Sequence, residues 1–194
     1  MRSTFTAFFD ANVFFGARLR SLVMEVAQSG VFRARWSADV HDEWIRSVLG
    51  RRADLRREQI EPIRSMMEVP DALVSGYAGL IPALTLPDPD DRHILAAAIV
   101  GRADVIVTFN EKDFPAEALA PYGIHTRHPD AFFSEAEGVE PDMLTDAAAR
   151  DLAHYKRPPL TPRQYTDDLR GAGVPQLADY LWRMRVLLDD QPEP

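Results

Sequence analysis

Between Pro87 and Phe114 the chain reads PDPDDRHILAAAIVGRADVIVTFNEKDF, a helix followed by a strand with acids at both ends. The DVIVTF segment is short, β-branched and apolar on both of its faces. A strand tolerates that only when both faces are covered, so the unit predicts a parallel sheet flanked by helices. Asp88 can cap the helix, with Pro89 at the first helical position, where a missing N–H costs nothing. Asp90 and Asp91 then occupy the first turn, and Gly101 is expected to end the helix. Ile94, Leu95 and Ala98 follow Asp91 at helical spacing, so Asp91 heads the stripe that faces the core. The helix dipole alone accounts for Asp88 and Asp90. It does not account for Asp91, nor for Asp113, which with Asn110 lies just past the strand end, where ligands sit in open α/β sheets.

The rest of the chain supplies the partners of this unit. Thr4–Phe9 predicts a buried strand ending at Asp10-Ala11-Asn12, a second place where an acid meets a strand end. A helix over Ala17–Gln28, stopped by Ser29-Gly30, and a strand over Val31–Trp36 follow. Ser37 then caps a helix expected to run to Leu49 and stop at Gly50. On that helix Val40, Glu43, Trp44 and Ser47 share one face, which sets Glu43 among apolar neighbours. An isolated ionised carboxylate in such a place is strongly unfavourable without a partner or a cation. Further elements are expected over Asp54–Val69 (a helix interrupted by Pro62), Pro70-Asp71 (a short helix or turn), Ala83–Leu86 (a strand), Ala116–Ala120, Ile124–Arg127 (a strand) and Pro129–Phe133 (a docking segment). The order predicts an α/β fold with a central parallel sheet.

Glu135–Pro141 turns to Glu, Gly and Pro and reads as a linker, so a first domain over residues 1–136 and a helical extension over 137–194 are expected. In the extension, Met143–His154 predicts a helix broken by Lys156–Pro159. Thr161-Pro162-Arg163-Gln164 is a capping box, and a last helix carries Leu177, Tyr180, Leu181, Met184 and Leu187-Leu188.

Composition narrows the chemistry. The absence of Cys removes disulfides, thiolate zinc sites and a Cys nucleophile, and suits a reducing cytoplasm. No apolar run reaches the length of a membrane span. Asp10 and Asn12 interrupt the apolar N-terminal residues, so neither a signal peptide nor a membrane partner is expected. The formal net charge of −8 opposes nucleic acid in bulk. Any such binding needs a local basic patch or a bridging cation, and Arg51, Arg52, Arg56 and Arg57 form one cluster whose planar forks match phosphate oxygens.

Asp10, Glu43, Asp91 and Asp113 come from four segments whose strand ends and helix starts can converge at one sheet edge. Two carboxylates about 4 Å apart repel by about 4 kcal/mol at an effective dielectric near 20, so four together require a cation or protonation. Carboxylate oxygens without His or Cys suit Mg2+ or Mn2+, and such an ion activates water for attack on a phosphodiester.

The DAN at Asp10, Glu43 in its helix, Asp91 in DDRHILAAA, and VTFNEKDF resemble the PIN domain, in particular the VapC ribonuclease toxins, over roughly residues 5–133. The resemblance implies a three-layer α/β/α sandwich and Mg2+- or Mn2+-dependent cleavage of RNA. It further implies a cognate antitoxin and a homodimer. Asp10, Glu43 and Asp91 match the family's three core acids, and Thr108 matches its small hydroxyl residue, with Asn12 and Asn110 in supporting positions. Where many members have an acid two residues after that Thr, this chain has Asn110, so a fourth acid comes from Asp113 or is missing. The tail resembles the helical extension of some of these toxins. Competing expectations are a PIN-like nuclease for other RNA or DNA, and a non-catalytic receiver-like regulator. The latter needs paired acids at the first strand end, and DAN supplies one.

Overall fold

The computed structural model describes residues 5–68 and 71–189. The strand start expected at Thr4, and the helix end and turn expected at Val69 and Pro70, lie outside them. Five parallel strands, β1 (Thr6–Phe9), β2 (Arg33–Ser37), β3 (Leu73–Val74), β4 (Val105–Val107) and β5 (His125–Arg127), lie in the order β3-β2-β1-β4-β5. The helices are α1 (Ala17–Ser29), α2 (Ala38–Arg51), α3 (Arg57–Met66), α4 (Arg92–Val100), α5 (Ala116–Leu119), α6 (Pro129–Val139), α7 (Pro141–Ala153), α8 (Pro162–Gly171), α9 (Pro175–Arg183) and α10 (Arg185–Asp189). Among the described residues no helix is long and apolar enough to cross a membrane.

Two compact units divide the chain. One holds the described residues up to Phe15 together with Arg33–His128; the other holds Gly16–Phe32 and the described residues from Pro129 onward. Thus α1, early in sequence, groups with the C-terminal helices.

In the sheet-bearing unit, every residue of β1 and β4 is buried, as strands covered on both faces require. The register pairs Phe9 with Val107, so the next residues along, Asp10 and Thr108, emerge side by side. The start of β4 is pinned by Asp104, whose carboxylate accepts from Thr6 N at 2.7 Å. From β1 the sheet grows one way through β2 and β3, and the chain then returns to add β4 and β5 on the other side. The strand order therefore reverses between β1 and β4, the place where open α/β sheets hold ligands beyond the carboxyl ends of their strands. Trp36 and Trp44 are fully buried, and the Trp44 indole donates to Nδ1 of buried His41 at 3.0 Å.

Several expected boundaries move. No strand forms over Ala83–Leu86: Ala78–Ala83 is a 3-10 turn containing Pro82, and the edge strand forms at Leu73–Val74. Leu84 and Leu86 are buried and Thr85 exposed, so the alternation is satisfied by packing without ladder bonds. Helix α2 continues through Gly50, with Arg52 N bonded to Val48 O at 2.9 Å. Helix α3 starts at Arg57 and passes through Pro62.

The second unit also departs from expectation. Instead of a linker, α6 runs to Val139 and α7 begins at Pro141, leaving Glu140 as the joint. A single Gly138 costs a helix about 1 kcal/mol, too little to break it. The last helix is split at Met184 into α9 and α10. The capping box forms as expected, Gln164 N donating to Thr161 Oγ1 at 3.2 Å and Thr161 N to Gln164 Oε1 at 3.0 Å. Buried Asp130 caps α9, where Pro175 has no N–H to offer, by accepting from Gln176 N and Leu177 N at 3.1 and 3.0 Å. Asp151 of α7, fully buried, accepts from Ser21 of α1 and from Tyr165 of α8.

Gly101 ends α4 for a reason other than left-handed freedom. Its φ is −72°, and the positive φ of 51° falls on Arg102. A Cβ on Gly101 would lie 2.9 Å from Val74 Cγ2 and 3.0 Å from Ala97 O. Gly101→Ala is therefore expected to destabilise the protein by about 1–3 kcal/mol, the usual cost of overpacking. Urea unfolding measures it, and an unchanged midpoint would show that β3 yields to the added methyl.

Candidate active site

The site is built on the β1–β4 seam. Asp10, 4% exposed, sits where β1 ends, and its N–H donates to Val107 O at 3.1 Å. Thr108, fully buried at the end of β4, donates its hydroxyl to Asp10 Oδ2 at 2.6 Å. Asn12, in the 3-10 turn Ala11–Phe14, donates Nδ2 to the same carboxylate oxygen at 2.6 Å and to Thr108 Oγ1 at 2.9 Å. Its Oδ1 accepts from Phe109 N at 3.1 Å. Asn110 N donates to Thr108 Oγ1 at 3.0 Å. One oxygen of Asp10 is thus occupied by two donors from within the protein.

The other acids gather around this point. Asp88 caps the 3-10 turn Pro89–Asp91 by accepting from Asp90 N at 2.9 Å, and α4 starts directly after Asp91. Asp91 is half-buried above fully buried Ile94 and Ala98 and nearly buried Leu95, as the stripe predicts. Glu43 lies at the margin of the buried face of α2, beside buried Val40 and Trp44, and its side chain is 39% exposed. Asp113 ends the 3-10 turn Glu111–Asp113 and is half-buried.

Charge repulsion links these groups. Burial raises the Asp10 pKa to about 6; the Thr108 hydrogen bond works against the rise and the Glu43 charge adds to it. Asp91 is pushed to about 7, first by burial and then by the charges of Asp10, Asp88, Asp113 and Glu43. Burial opposes protonation of His93, but the hydrogen bond and charge of Glu43 outweigh it and raise the imidazole above its usual value. The His93 Nε2 to Glu43 Oε2 distance is 3.5 Å.

Of the expected residues, Asp10, Asn12 and Thr108 touch one another, while Glu43, Asp91 and Asp113 reach the same point through their fields. Asn110 is exposed and contributes its backbone N–H. The arginines are exposed but differently engaged. Arg52 forms a two-bond pair with Asp54 at 2.8 and 2.7 Å, and Arg57 pairs with Asp42 at 3.2 Å and Glu61 at 3.7 Å. Arg56 starts α3, its N–H donating to Gln59 Oε1 at 2.9 Å, and the Arg51 guanidinium lies 5.1 Å from the Phe15 ring centre. Nothing in the sequence pattern singles out His93; its place beside Glu43 becomes readable only once α2 is known to lie opposite the start of α4.

Among the described residues, no group of three or more His, Cys, Asp or Glu side chains is arranged closely enough to hold a metal ion. The donor chemistry nevertheless fits a hard cation. All the acids offer oxygen, their mutual repulsion is uncompensated, and Mg2+ keeps several waters and takes only one or two carboxylates.

The raised carboxyl groups fix a pH dependence. In the unfolded chain Asp10 and Asp91 return to ordinary values near 4, so between about pH 4 and pH 7 the folded state binds more protons. Their contribution to stability grows as pH falls through the folded values and is lost as pH rises through them. Asp151, raised mainly by burial, acts in the same direction. Buried His41, lowered to about 4 chiefly by burial, opposes them below about pH 6.5, because the unfolded imidazole takes up a proton that the folded one does not. In chelator, therefore, acidification from pH 8 toward pH 5 should raise the melting temperature of the wild type more, or lower it less, than that of Asp91→Asn. Equal changes in the two proteins would contradict the arrangement.

Comparison with known proteins identifies the family. Residues 6–112 match the PIN domain family and residues 129–183 match the VapC50 C-terminal domain. A Mycobacterium tuberculosis protein named as a ribonuclease, VapC50, is 41% identical over 107 residues, which cover 55% of this chain and 62% of the relative's length. No solved structure matches the chain. With its parallel five-stranded sheet, its packed helices and a match over more than half its length, the chain belongs to the PIN domain family and carries a VapC50-type C-terminal domain.

Proposed function

We propose that this protein is a divalent-metal-dependent endoribonuclease of the VapC type, the toxin of a toxin–antitoxin pair, working in the cytoplasm as a homodimer held in check by a cognate antitoxin. One observation carries the reading. Where the strand order reverses, Asp10, Asp91, Glu43 and Asp113 share one electrostatic environment, and two of them are pushed to about 6 and about 7. Such strain persists at sites that use it.

Asp10, Asp91, Glu43 and Asp113 would hold Mg2+ or Mn2+, one or two of them directly and the others through waters on the ion, an all-oxygen set that suits a hard cation. When bound, the ion supplies an acidic water and positive charge against a phosphodiester. The chain's own residues do the remaining work. Thr108 and Asn12 occupy Asp10 Oδ2 and fix the carboxylate plane, so Oδ1 keeps one direction. A carboxylate of the cluster not taken up by the ion would accept the proton of the attacking water. Asn110, in place of the acid common in the family, leaves Asp113 as the additional charge near Asp91.

RNA must be held by an acidic protein, so local arginines carry the phosphate contacts. Among the described residues Arg51 and Arg56 have no carboxylate partner, whereas Arg52 and Arg57 do. Within the cluster Arg51, at the C-terminal end of the Glu43 helix and beside the turn that carries Asn12, is the best placed.

Asp10→Asn should reduce cleavage of single-stranded RNA in Mg2+ or Mn2+ by about two orders of magnitude or more, as expected when a group in the metal and proton-transfer machinery is lost. The variant should stay folded, because the amide retains the hydrogen-bonding shape and removes one charge from the cluster. Full activity in the folded variant would overturn the reading.

A further inference from the structure

Glu43 differs from Asp10 in how it is held. The two donors to Asp10 Oδ2 are short side chains, Thr108 at the end of β4 and Asn12 in the turn directly after β1. Glu43 projects from α2 on a longer, more flexible side chain, whose ordering costs rotamer entropy. Among the described residues, the group that pairs with it is His93 of α4, with Nε2 3.5 Å from Oε2.

His93 is the more enclosed partner, its side chain 19% exposed against 39% for Glu43. Its Nδ1 is buried and has no hydrogen-bond partner. No second bond therefore competes for the ring, and its orientation follows from packing and from the contact with Glu43. Nε2–H donates to a carboxylate whether or not Nδ1 also carries a proton, so the contact does not depend on the charge of the ring. A separation of 3.5 Å is long, as such bonds often are before a site is loaded. Because His93 follows Asp91 by two residues at the start of α4, the same helix start sets both the Asp91 carboxylate and the donor that faces Glu43.

We propose that His93 is a positioning residue for the acid cluster: its Nε2–H holds one oxygen of Glu43 and leaves the other for the divalent ion. The inference rests on the metal-dependent reading above. It assigns His93 no contact with RNA and no proton transfer. It makes α4 the element that couples the placement of two acids from different helices, Asp91 directly and Glu43 through the imidazole.

The test compares His93→Phe, which keeps the ring volume and removes the donor, with His93→Gln, which supplies an amide N–H donor at similar reach. Mn2+ is titrated calorimetrically into each full-length protein, and RNA cleavage is followed in parallel. Loss of an outer partner weakens metal binding 10–100-fold, so Phe should weaken Mn2+ affinity by at least about tenfold and lower cleavage with it. Gln should restore most of both. Melting curves in chelator establish that each variant is folded; if Phe does not fold, His93→Met against His93→Gln carries the same comparison. Equal affinities in the wild type, Phe and Gln proteins overturn the proposal. Equal losses in Phe and Gln overturn it as well, since they would assign His93 to packing. A wild-type protein that binds no Mn2+ overturns the metal reading itself and this inference with it, a result distinct from the other two.

Discussion

The hydrogen bond from Thr108 to Asp10, made across two strands whose order reverses at that point, is the interaction on which the site depends. It follows from register: with Phe9 opposite Val107, the next residue of each strand leaves the sheet at the same level. Asn12 closes the group by bonding to both. Because β1 and β4 are buried at every position, this seam cannot slip without exposing a core strand. The acid is thus fixed by the most rigid part of the sheet, and the remaining carboxylates are brought to it by helix starts and turns.

This arrangement costs stability. A carboxylate 4% exposed, with like charges nearby, has a weaker preference for its ionised form, and Asp91 feels the charges of four other acids. Repulsion among like charges in a partly buried setting works against the small net stability of a typical domain. Under the function proposed above, a hard cation offsets this repulsion. The same logic separates the acids from the arginines. Arg52 and Arg57 are satisfied by exposed acids, where ion pairs contribute little, and neither offsets the charge of the acid cluster.

Much of this was legible in the sequence, for local reasons. Asp91 stood out because it began an apolar stripe and Asp10 because it ended a Phe-rich strand, and both lie where those patterns put them; Glu43 shares a face with Val40 and Trp44 but sits at its margin, more exposed than its neighbours suggested. What the sequence hid depends on contacts between distant segments. The bond from Asn12 to Thr108 and the pairing of His93 with Glu43 exist only because particular elements are neighbours in space. Strand β3, two residues long, has too little pattern to announce itself, and Ala83–Leu86 mimicked a strand because Leu84 and Leu86 are buried without joining the sheet. Gly101 was expected for its backbone freedom and is required by the closeness of Val74. The Glu- and Gly-rich stretch read as a linker is helix up to Val139, since one glycine is a weak breaker when the residues around it favour a helix.

The central claim is that Asp10 and Asp91 share an uncompensated negative environment that a hard cation relieves. Side-chain carboxyl chemical shifts, followed by NMR across a pH titration with and without Mg2+, test it most directly. In chelator the account predicts that these two groups titrate near pH 6 and near pH 7, and that saturating Mg2+ moves both below the ordinary carboxylate range. Titration of both near pH 4 in chelator, with no change on adding Mg2+, would contradict it.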